Sequence, residues 1–484
     1  MDLLKRQAEL DNAKKKLFSG SAENAKKSPN KLNARQRLSN LFDADTFCET
    51  AAYIKPRQNE FLTANCEDYE GIICGYGSVD GRLVFAFSQE SMRNNGAFGK
   101  AAADKICALI DMAKKNAAPV VAVFDSNGAR ISEGLDVLDG YGRVMKKISS
   151  VKGKIPVISC ICGNTSGANA IIACLADVVV SVHDGAALSL SPLSVLQNNA
   201  QNNEFNCDKS AVSVYVQNEN EVFAAVRDIL YYLPSNKLDR NIYTEVIDNP
   251  ERLTPEISAI VTADNYDMHN VINALADGAR YLELNKDSGR GIITAFCVLN
   301  GLPCAVVANT GKDLCAGSMT KASSFIKLCN CFEIPVLTLV DCKGFSVDCE
   351  AKGNKLLSAC SSLAAAYTTS TIPLITVVLG KAYGSVFTLM GSKSLGADVV
   401  FALNSSEISV MNPQSGVVFM WNDKLAQGKS KAELEELWKT NASNPLTAAN
   451  YGYVDDIVSA DILRKKILSS MEMLSMKSEF STLF

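Results

Sequence analysis

Four segments of the chain recur in the same order after 216 to 221 residues, and no other feature limits the fold so strongly. Gly71-Ile-Ile-Cys-Gly-Tyr, followed by Asp80-Gly81, is answered by Gly291-Ile-Ile-Thr-Ala-Phe, followed by Asn300-Gly301. Pro119-Val-Val-Ala-Val-Phe-Asp125 is answered by Pro335-Val-Leu-Thr-Leu-Val-Asp341. Ile155-Pro-Val-Ile-Ser-Cys-Ile-Cys-Gly163 is answered by Ile372-Pro-Leu-Ile-Thr-Val-Val-Leu-Gly380, and Leu175-Ala-Asp177 by Gly396-Ala-Asp398. The chain therefore reads as two copies of one unit, and 484 residues suit two cores better than one.

Within a copy, short β-branched runs such as Arg82-Leu-Val-Phe-Ala-Phe87 and Pro119-Val-Val-Ala-Val-Phe124 alternate with helical stretches. One of these, residues 99–115, carries Ile106, Leu109, Ile110 and Met112 at helical spacing. Alternation of this kind predicts an α/β fold with largely parallel strands. Residues 1–44 are polar and rich in lysine and alanine, and read as a helical arm with a loose stripe of Leu3, Leu4, Leu10 and Leu17. Such an arm either packs on its own protein or a neighbouring subunit, or binds an acidic partner or membrane surface. The first domain is expected over 45–235, ending in a helix from Glu221 to Tyr232. A linker marked by Pro250 and Pro255 spans 236–262, and the second domain is 263–484.

Composition narrows the chemistry. With 48 basic and 52 acidic residues, a net charge of -4 argues against binding nucleic acid through its phosphates. His183 and His269 are the only histidines, so no histidine-rich metal site is expected and a triad would have to use one of them. The pairs Cys160/Cys162 and Cys329/Cys331 are spaced too closely for a structural zinc site. Sixteen cysteines scattered through apolar runs read as buried free thiols of a reducing compartment. The charged start Met-Asp-Leu-Leu-Lys-Arg and the lack of long apolar runs point to a soluble, cytoplasmic protein.

Each copy has a strand that ends in a small-residue turn leading to a predicted helix. The turns are Gly163-Asn-Thr-Ser166-Gly167-Ala168 and Gly380-Lys-Ala382-Tyr383-Gly384-Ser385-Val386, with Thr388 one helical step further. Backbone N–H groups at a helix start converge on an anion, and two of them form an oxyanion hole without any titrating side chain. A second turn, Asp125-Ser-Asn-Gly128-Ala129-Arg130-Ile-Ser-Glu133-Gly134, follows a strand where α/β proteins place ligands. Read locally, Asp125 can instead cap a helix and Arg130 can pair with Glu133.

Asp125-Ser-x-Gly-Ala-Arg-Ile-x-Glu-Gly134 resembles the signature of biotin-dependent carboxyltransferases, the family of acyl-CoA carboxylase β subunits and decarboxylase α subunits. Lys31-Leu-Asn-Ala-Arg-Gln-Arg-Leu, Tyr266-Asp-Met-His-Asn-Val-Ile, Lys321-Ala-Ser-Ser-Phe-Ile, Val340-Asp-x-x-Gly344-Phe345 and Lys381-Ala-Tyr-Gly384 extend the resemblance almost end to end. It implies two tandem crotonase-like (ClpP/crotonase) domains, each a ββα spiral, after an N-terminal helical arm. Active sites would form where the first domain of one subunit meets the second domain of another, in a homo-oligomer (dimer or hexamer). By position, the N–H groups of Gly167 and Ala168 would hold the thioester oxygen of an acyl-CoA, and those of Ser385 and Val386 the ureido oxygen of biotin. Gly128, Ala129, Arg130, Gly163, Ser166, Gly344, Phe345, Ala382, Tyr383, Gly384 and Thr388 would line the substrate sites. The base is then biotin's own ureido group, which needs no histidine and no metal.

The family usually has Gly-Gly where this chain has Gly167-Ala168 and Gly384-Ser385, and a proline where it has Lys343. Its Leu-Gly-Gly-Ala segment is replaced within 197–215 by an Asn/Gln-rich loop, which implies an altered acyl pocket. Ser475-Met-Lys477-Ser lacks the Ala-Met-Lys-Met context of a biotinylated lysine. Biotin is therefore expected on a separate carboxyl carrier protein, alongside a biotin carboxylase subunit or a membrane decarboxylase subunit that could tether the complex to a membrane. Two alternatives stay open: a crotonase-like hydratase or hydrolase working without biotin, and a non-catalytic scaffold subunit.

Overall fold

A computed structural model describes residues 3–25, 31–56, 69–93, 96–191, 195, 210–239, 246–263, 265–351, 353 and 355–477. The Asn/Gln-rich loop lies largely outside the described residues. The chain divides into two compact units, Met1–Asp239 and Arg240–Phe484.

The first unit opens with α1 (Leu3–Ala25) and α2 (Ala34–Leu41). Asn33 starts α2 with a capping box, its side chain accepting from the Gln36 N–H while the Gln36 side chain accepts from its own N–H. The stripe expected on the arm is only partly covered: Leu17 is buried, but Leu3, Leu4 and Leu10 are exposed. The arm is held near its middle, where Arg93 donates to the Leu17 carbonyl at 2.9 Å. After β1 (Cys48–Thr50) come β2 (Ile72–Val79) and β3 (Arg82–Gln89), α3 (Lys100–Lys115), β4 (Val120–Ser126) and α4 (Leu135–Val151). The unit continues with β5 (Val157–Ser166), α5 (Ala168–Cys174), β6 (Val178–Val182), β7 (Ala187–Ser189), β8 (Val214–Val216) and α6 (Glu219–Tyr232). Asn218 caps α6, which therefore begins two residues earlier than its apolar pattern indicates.

The second unit repeats this order. It contains α7 (Glu256–Thr262), α8 (Met268–Leu275), β9 (Tyr281–Leu284), β10 (Ile292–Leu299), β11 (Leu302–Asn309), α9 (Ala316–Cys331) and β12 (Val336–Cys342). Short α10 (Val347–Ala351) and longer α11 (Leu356–Thr368) lead to β13 (Leu374–Tyr383) and α12 (Ser385–Leu389). Next are β14 (Val399–Leu403), β15 (Glu407–Ser409), α13 (Pro413–Met420), α14 (Asn422–Ala426), α15 (Lys431–Ala442), α16 (Pro445–Asn450), β16 (Asp456–Val458) and α17 (Leu463–Met473). Helix α7 falls within the stretch 236–262, and its Ile257 is buried in the second core.

Each unit has an eight-stranded sheet, ordered β1-β2-β3-β4-β5-β6-β8 in the first and β9-β10-β11-β12-β13-β14-β16 in the second, with β7 beside β5 and β15 beside β13. The correspondence reaches single residues. Both hairpins turn on two positive-φ residues, Asp80-Gly81 and Asn300-Gly301, as a two-residue connection requires. Both sheets change register at the same place, between Phe124 and Ser126 and between Val340 and Cys342. The first core packs the sheet against Ile106, Ile110, Val137 and Val144 of α3 and α4, and the second packs its sheet against α8 and α17. Cysteines among the described residues are free and mostly buried, and no helix there is long and apolar enough to cross a membrane.

Candidate functional site

The two small-residue turns are nearly superimposable in backbone angles. Gly167 has φ 66° and ψ −135°, and Gly384 has φ 57° and ψ −137°. Only glycine adopts that combination without strain, so each strand ends in the one residue type that lets the next peptide enter a helix at this angle. The incoming side is pinned alike in both: Gly167 N–H donates to Ser189 O at 3.0 Å and Gly384 N–H to Ser409 O at 2.9 Å. Strands β7 and β15 supply those carbonyls by pairing in parallel with β5 and β13. The following residues, Ala168 and Ser385–Val386, occupy the first helical turn, whose N–H groups have no acceptor within their own helix. Ser385 and Thr388 are exposed and Val386 is buried, so Ser385 presents backbone and hydroxyl while Val386 anchors α12.

The turn after β4 is tied to the Gly167 turn by a chain of side chains. Asn169 Nδ2 donates to Ser126 Oγ at 3.0 Å, and Ser126 Oγ accepts the Gly128 N–H at 3.2 Å. On the other side Gln89 donates to Asn169 and accepts the Asp125 N–H at 2.9 Å. Gly128, at φ 120°, lies close enough to Ser166 that an added Cβ would stand 3.7 Å from its Oγ. Ala129 is exposed between them, while Arg130 is 7% exposed. The Arg130 guanidinium is committed within the unit: it donates to both Glu70 oxygens at 2.7 and 2.9 Å and to Glu133 at 2.8 Å. Burial opposes its charge, but the Glu70 and Glu133 contacts outweigh this and raise its pKa. Glu133 also accepts the Lys100 N–H at the start of α3, so Arg130 fastens the turn to that helix.

Asp125 neither caps a helix nor faces open solvent. Its carboxylate takes Lys31 at 2.8 Å and the nearly fully buried Arg37 at 2.9 Å, and Arg37 also binds Glu219. Gly163 is required beside it, since a Cβ there would lie 2.6 Å from the Asp125 carboxyl carbon. In the second unit Gly380 abuts Asp341 at the corresponding place, with a Cβ-to-carboxyl separation of 2.5 Å. Asp341 accepts the Lys381 N–H and the Tyr266 hydroxyl, both at 2.8 Å, and burial with the adjacent carboxylate raises the Tyr266 pKa. Tyr383 donates to Glu407, Ala382 is fully buried, and Leu314 N–H donates to Gly344 O at 3.1 Å. That last contact and the bridge from Leu314 to Phe345 reproduce the bond from Phe98 N–H to Gly128 O at 2.9 Å in the first unit.

Sequence reasoning placed the turns but missed Glu70, Gln89, Ser126, Asn169 and Glu219, which hold them. These residues are polar, far apart in the chain and carry no local pattern. Arg37 lies within the Lys31 segment that carried the family resemblance, and its burial opposite Asp125 is the reason that segment matters. His183 is exposed beside Asp184, and His269 is bonded to Asp267 and Glu283. Among the described residues no cluster of His, Cys, Asp or Glu could hold a metal ion.

A family model described as "Carboxyl transferase domain" matches residues 25–483. The propionyl-CoA carboxylase carboxyltransferase subunit of Haloferax mediterranei is 32% identical, over 92% of this chain and 91% of its own length. Methylmalonyl-CoA decarboxylase subunit alpha of Propionigenium modestum is also 32% identical, over 93% of this chain and 91% of its own length. The crystal structure of transcarboxylase 12S, described as a hexamer assembly with methylmalonyl-CoA and methylmalonic acid bound, superposes with a TM-score of 0.92. The match is 27% identical and covers 99% of this chain and 97% of that one. The two sheet units behind a helical arm are thus tandem crotonase-like domains.

Proposed function

From the premise that the chain belongs to the carboxyl transferase family, we propose how its residues divide the work of the reaction. The chain is a carboxyltransferase of the biotin-dependent acyl-CoA carboxylase or decarboxylase kind. The observation carrying the assignment of residues is the matched pair of glycine turns, φ 66° and 57°, one in each unit.

In the first unit, the Ala168 N–H at the helix start polarises the thioester carbonyl and holds the enolate oxygen formed when the α-proton leaves; the Gly167 N–H, expected as its companion, is already given to Ser189 O. Preorganised backbone dipoles suit this task because they do not titrate near neutral pH and need no reorientation as charge develops. Gly128, Ala129, Gly163 and Ser166 border that carbonyl, and Arg130 acts as a positioning residue that keeps the turn on α3. In the second unit, Ser385 and Val386 offer first-turn N–H donors to the ureido oxygen of biotin, beside Gly344, Phe345, Ala382 and Tyr383, while the Gly384 N–H is held by Ser409 O. Gly384 suits this place: its φ of 57° favours glycine, and a Cβ there would press on Val410 O at 3.2 Å. Bound there, biotin supplies a transferable carboxyl group and a ureido nitrogen as base. Thr388, exposed one turn into α12, borders the acyl group.

The acyl group is a short branched or three-carbon chain, propionyl or methylmalonyl, as in the named relatives. Biotin arrives on a separate carrier protein, a biotin carboxylase or a membrane decarboxylase subunit sets the direction, and the chain works as a homo-oligomer. Carboxyl transfer from methylmalonyl-CoA to a biotinylated carrier domain, run beside malonyl-CoA, tests this. Transfer from methylmalonyl-CoA that requires biotin is the expected result. Hydration or hydrolysis of an acyl-CoA with biotin dispensable overturns it.

A further inference from the structure

The second unit contains a cavity of about 850 Å³ at the carboxyl ends of β11, β12, β13 and β14, bordered by Thr310, Asp341, Gly380 and Ser405. Parallel sheets place ligands at this edge, and the volume is that of a small-molecule site. In its wall lies Lys321 of α9, whose side chain is 3% exposed. Among the described residues its Nζ has no hydrogen-bond partner. Glu283 Oε1 stands 3.9 Å away, near enough to feel the charge and too far to accept a hydrogen bond. Three buried N–H donors without an acceptor are costly unless something else fills the role.

The first copy has no such vacancy. Lys105, 216 residues earlier in α3, is equally buried but donates to the Ile72 carbonyl. The pair Arg35–Glu49 in the first copy corresponds to His269–Glu283 in the second, with the same 14-residue spacing. That register sets Arg37, which fills the space over Asp125, against Val271. A guanidinium has become a small apolar side chain, and the place it occupied is open.

The charges around the cavity are unequally committed. Asp267 and Glu283 are both bonded to His269, Asp341 to Tyr266 and Lys381, and Glu407 to Tyr383. Exposed Lys286, Arg290, Lys312 and Lys343 stand at the rim. Exposed Asp287 stands 4.0 Å from Arg290 at the rim; the other carboxylates are bonded within the protein, whereas the deepest cation is not.

We propose that this cavity is a binding site for a phosphate-bearing small molecule, with Lys321 holding the phosphate and the rim cations drawing it in. A lysine ammonium suits phosphate as a compact point charge with three rotatable donors. The volume exceeds that of a single oxyanion, so the organic body of the ligand rests against Val261, Met268, Ile292 and Leu379. Burial lowers the Lys321 pKa to about 8, against the opposing pull of Glu283 and Asp287, so at pH 7 the ammonium form prevails. Neither Ser385 nor Val386 lines the cavity, and the inference does not depend on carboxyl transfer.

Isothermal titration of the full-length protein at pH 7, with ionic strength held by chloride, tests it with inorganic phosphate in one arm and glycerol 3-phosphate in the other. Saturable binding of one phosphate group per chain is expected, weakened about tenfold or more by Lys321→Met and largely retained by Lys321→Arg. Tighter binding of the ester identifies a phosphorylated metabolite as the occupant, and equal binding a free-phosphate site. The double variant Lys312→Gln with Lys343→Gln, at exposed rim positions, should weaken binding about threefold and flatten its salt dependence. Lys465→Gln, a surface control paired with Glu251, should change nothing. No saturable binding by the wild type, or unchanged affinity in a folded Lys321→Met protein, overturns the proposal.

Discussion

Replacing Gly167 by alanine separates backbone conformation from crowding at the first turn. A Cβ on Gly167 would find its nearest neighbour, Leu190 O, at 3.9 Å, an ordinary contact distance. Packing therefore adds nothing, and the whole cost is torsional: φ 66° with ψ −135° is a region that a residue with a Cβ occupies at about 1–3 kcal/mol. The loss of chain entropy in the unfolded state returns about 0.4–1 kcal/mol, leaving about 1–2 kcal/mol net. For a unit of this size that lowers the melting temperature by roughly 2–8 °C. Gly163→Ala is the contrasting variant, because its Cβ would press on the Asp125 carboxyl group and disturb a buried ion pair, at about 3–5 kcal/mol. Activity should fall further than stability in Gly167→Ala. Relaxing the strain turns the first-turn N–H groups away from the thioester oxygen, and losing one such donor costs about 10²–10³ in turnover. Differential scanning calorimetry and carboxyl transfer from methylmalonyl-CoA measure the two effects. The reasoning is refuted if Gly167→Ala costs as much stability as Gly163→Ala, or if it turns over like the wild type.

Ser385→Ala should keep carboxyl transfer within about threefold of wild type, since only the N–H of that residue is used; a loss near that of Gly167→Ala would mean that its hydroxyl takes part. Arg37→Met leaves Asp125 and Glu219 facing each other without their guanidinium, and should cost about 3–5 kcal/mol in urea denaturation. A loss below about 1 kcal/mol would show that Lys31 alone satisfies Asp125. Asp177, which accepts the Val157 N–H, is pushed up to about 6 by burial from an ordinary value of 3.8. Between those values the native state holds a proton that the unfolded chain has released, so this group's contribution to stability falls as pH rises and is lowest above pH 6. Asp177→Asn keeps the acceptor without the charge, so its stability relative to wild type should improve from pH 4 to pH 7 in thermal melts. A pH-independent difference would contradict the assignment.

The repeat, the largely parallel α/β arrangement implied by alternation and the two glycine turns were all legible in the chain, because each depends on residues near one another. Asp80-Gly81 and Asn300-Gly301 name a hairpin by themselves, since two adjacent positive φ angles leave few other residue choices. Gly167 and Gly384 stood out at equivalent strand ends for the same reason. The low histidine content pointed to backbone donors, and the motif Asp125–Gly134 led to the family.

What the folded chain decided is where charge goes. Arg130 and Glu133 are three residues apart, yet the third partner, Glu70, comes from another segment, and only burial shows that the guanidinium is consumed by the scaffold. Asp125 and Asp341 look alike in the repeat, but one is covered by Arg37 and Lys31 and the other by Tyr266. Across the register Arg37 stands against Val271: the guanidinium covers Asp125 in the first copy, and a cavity borders Asp341 in the second. Lys105 and Lys321 are likewise matched lysines in matched helices; one finds a carbonyl and the other does not. Local pattern specifies backbone conformation because torsion and hydrophobic spacing are short-range. The fate of a buried charge depends on partners 33 to 182 residues away in the chain, and that is settled only when the fold brings them within about 3 Å.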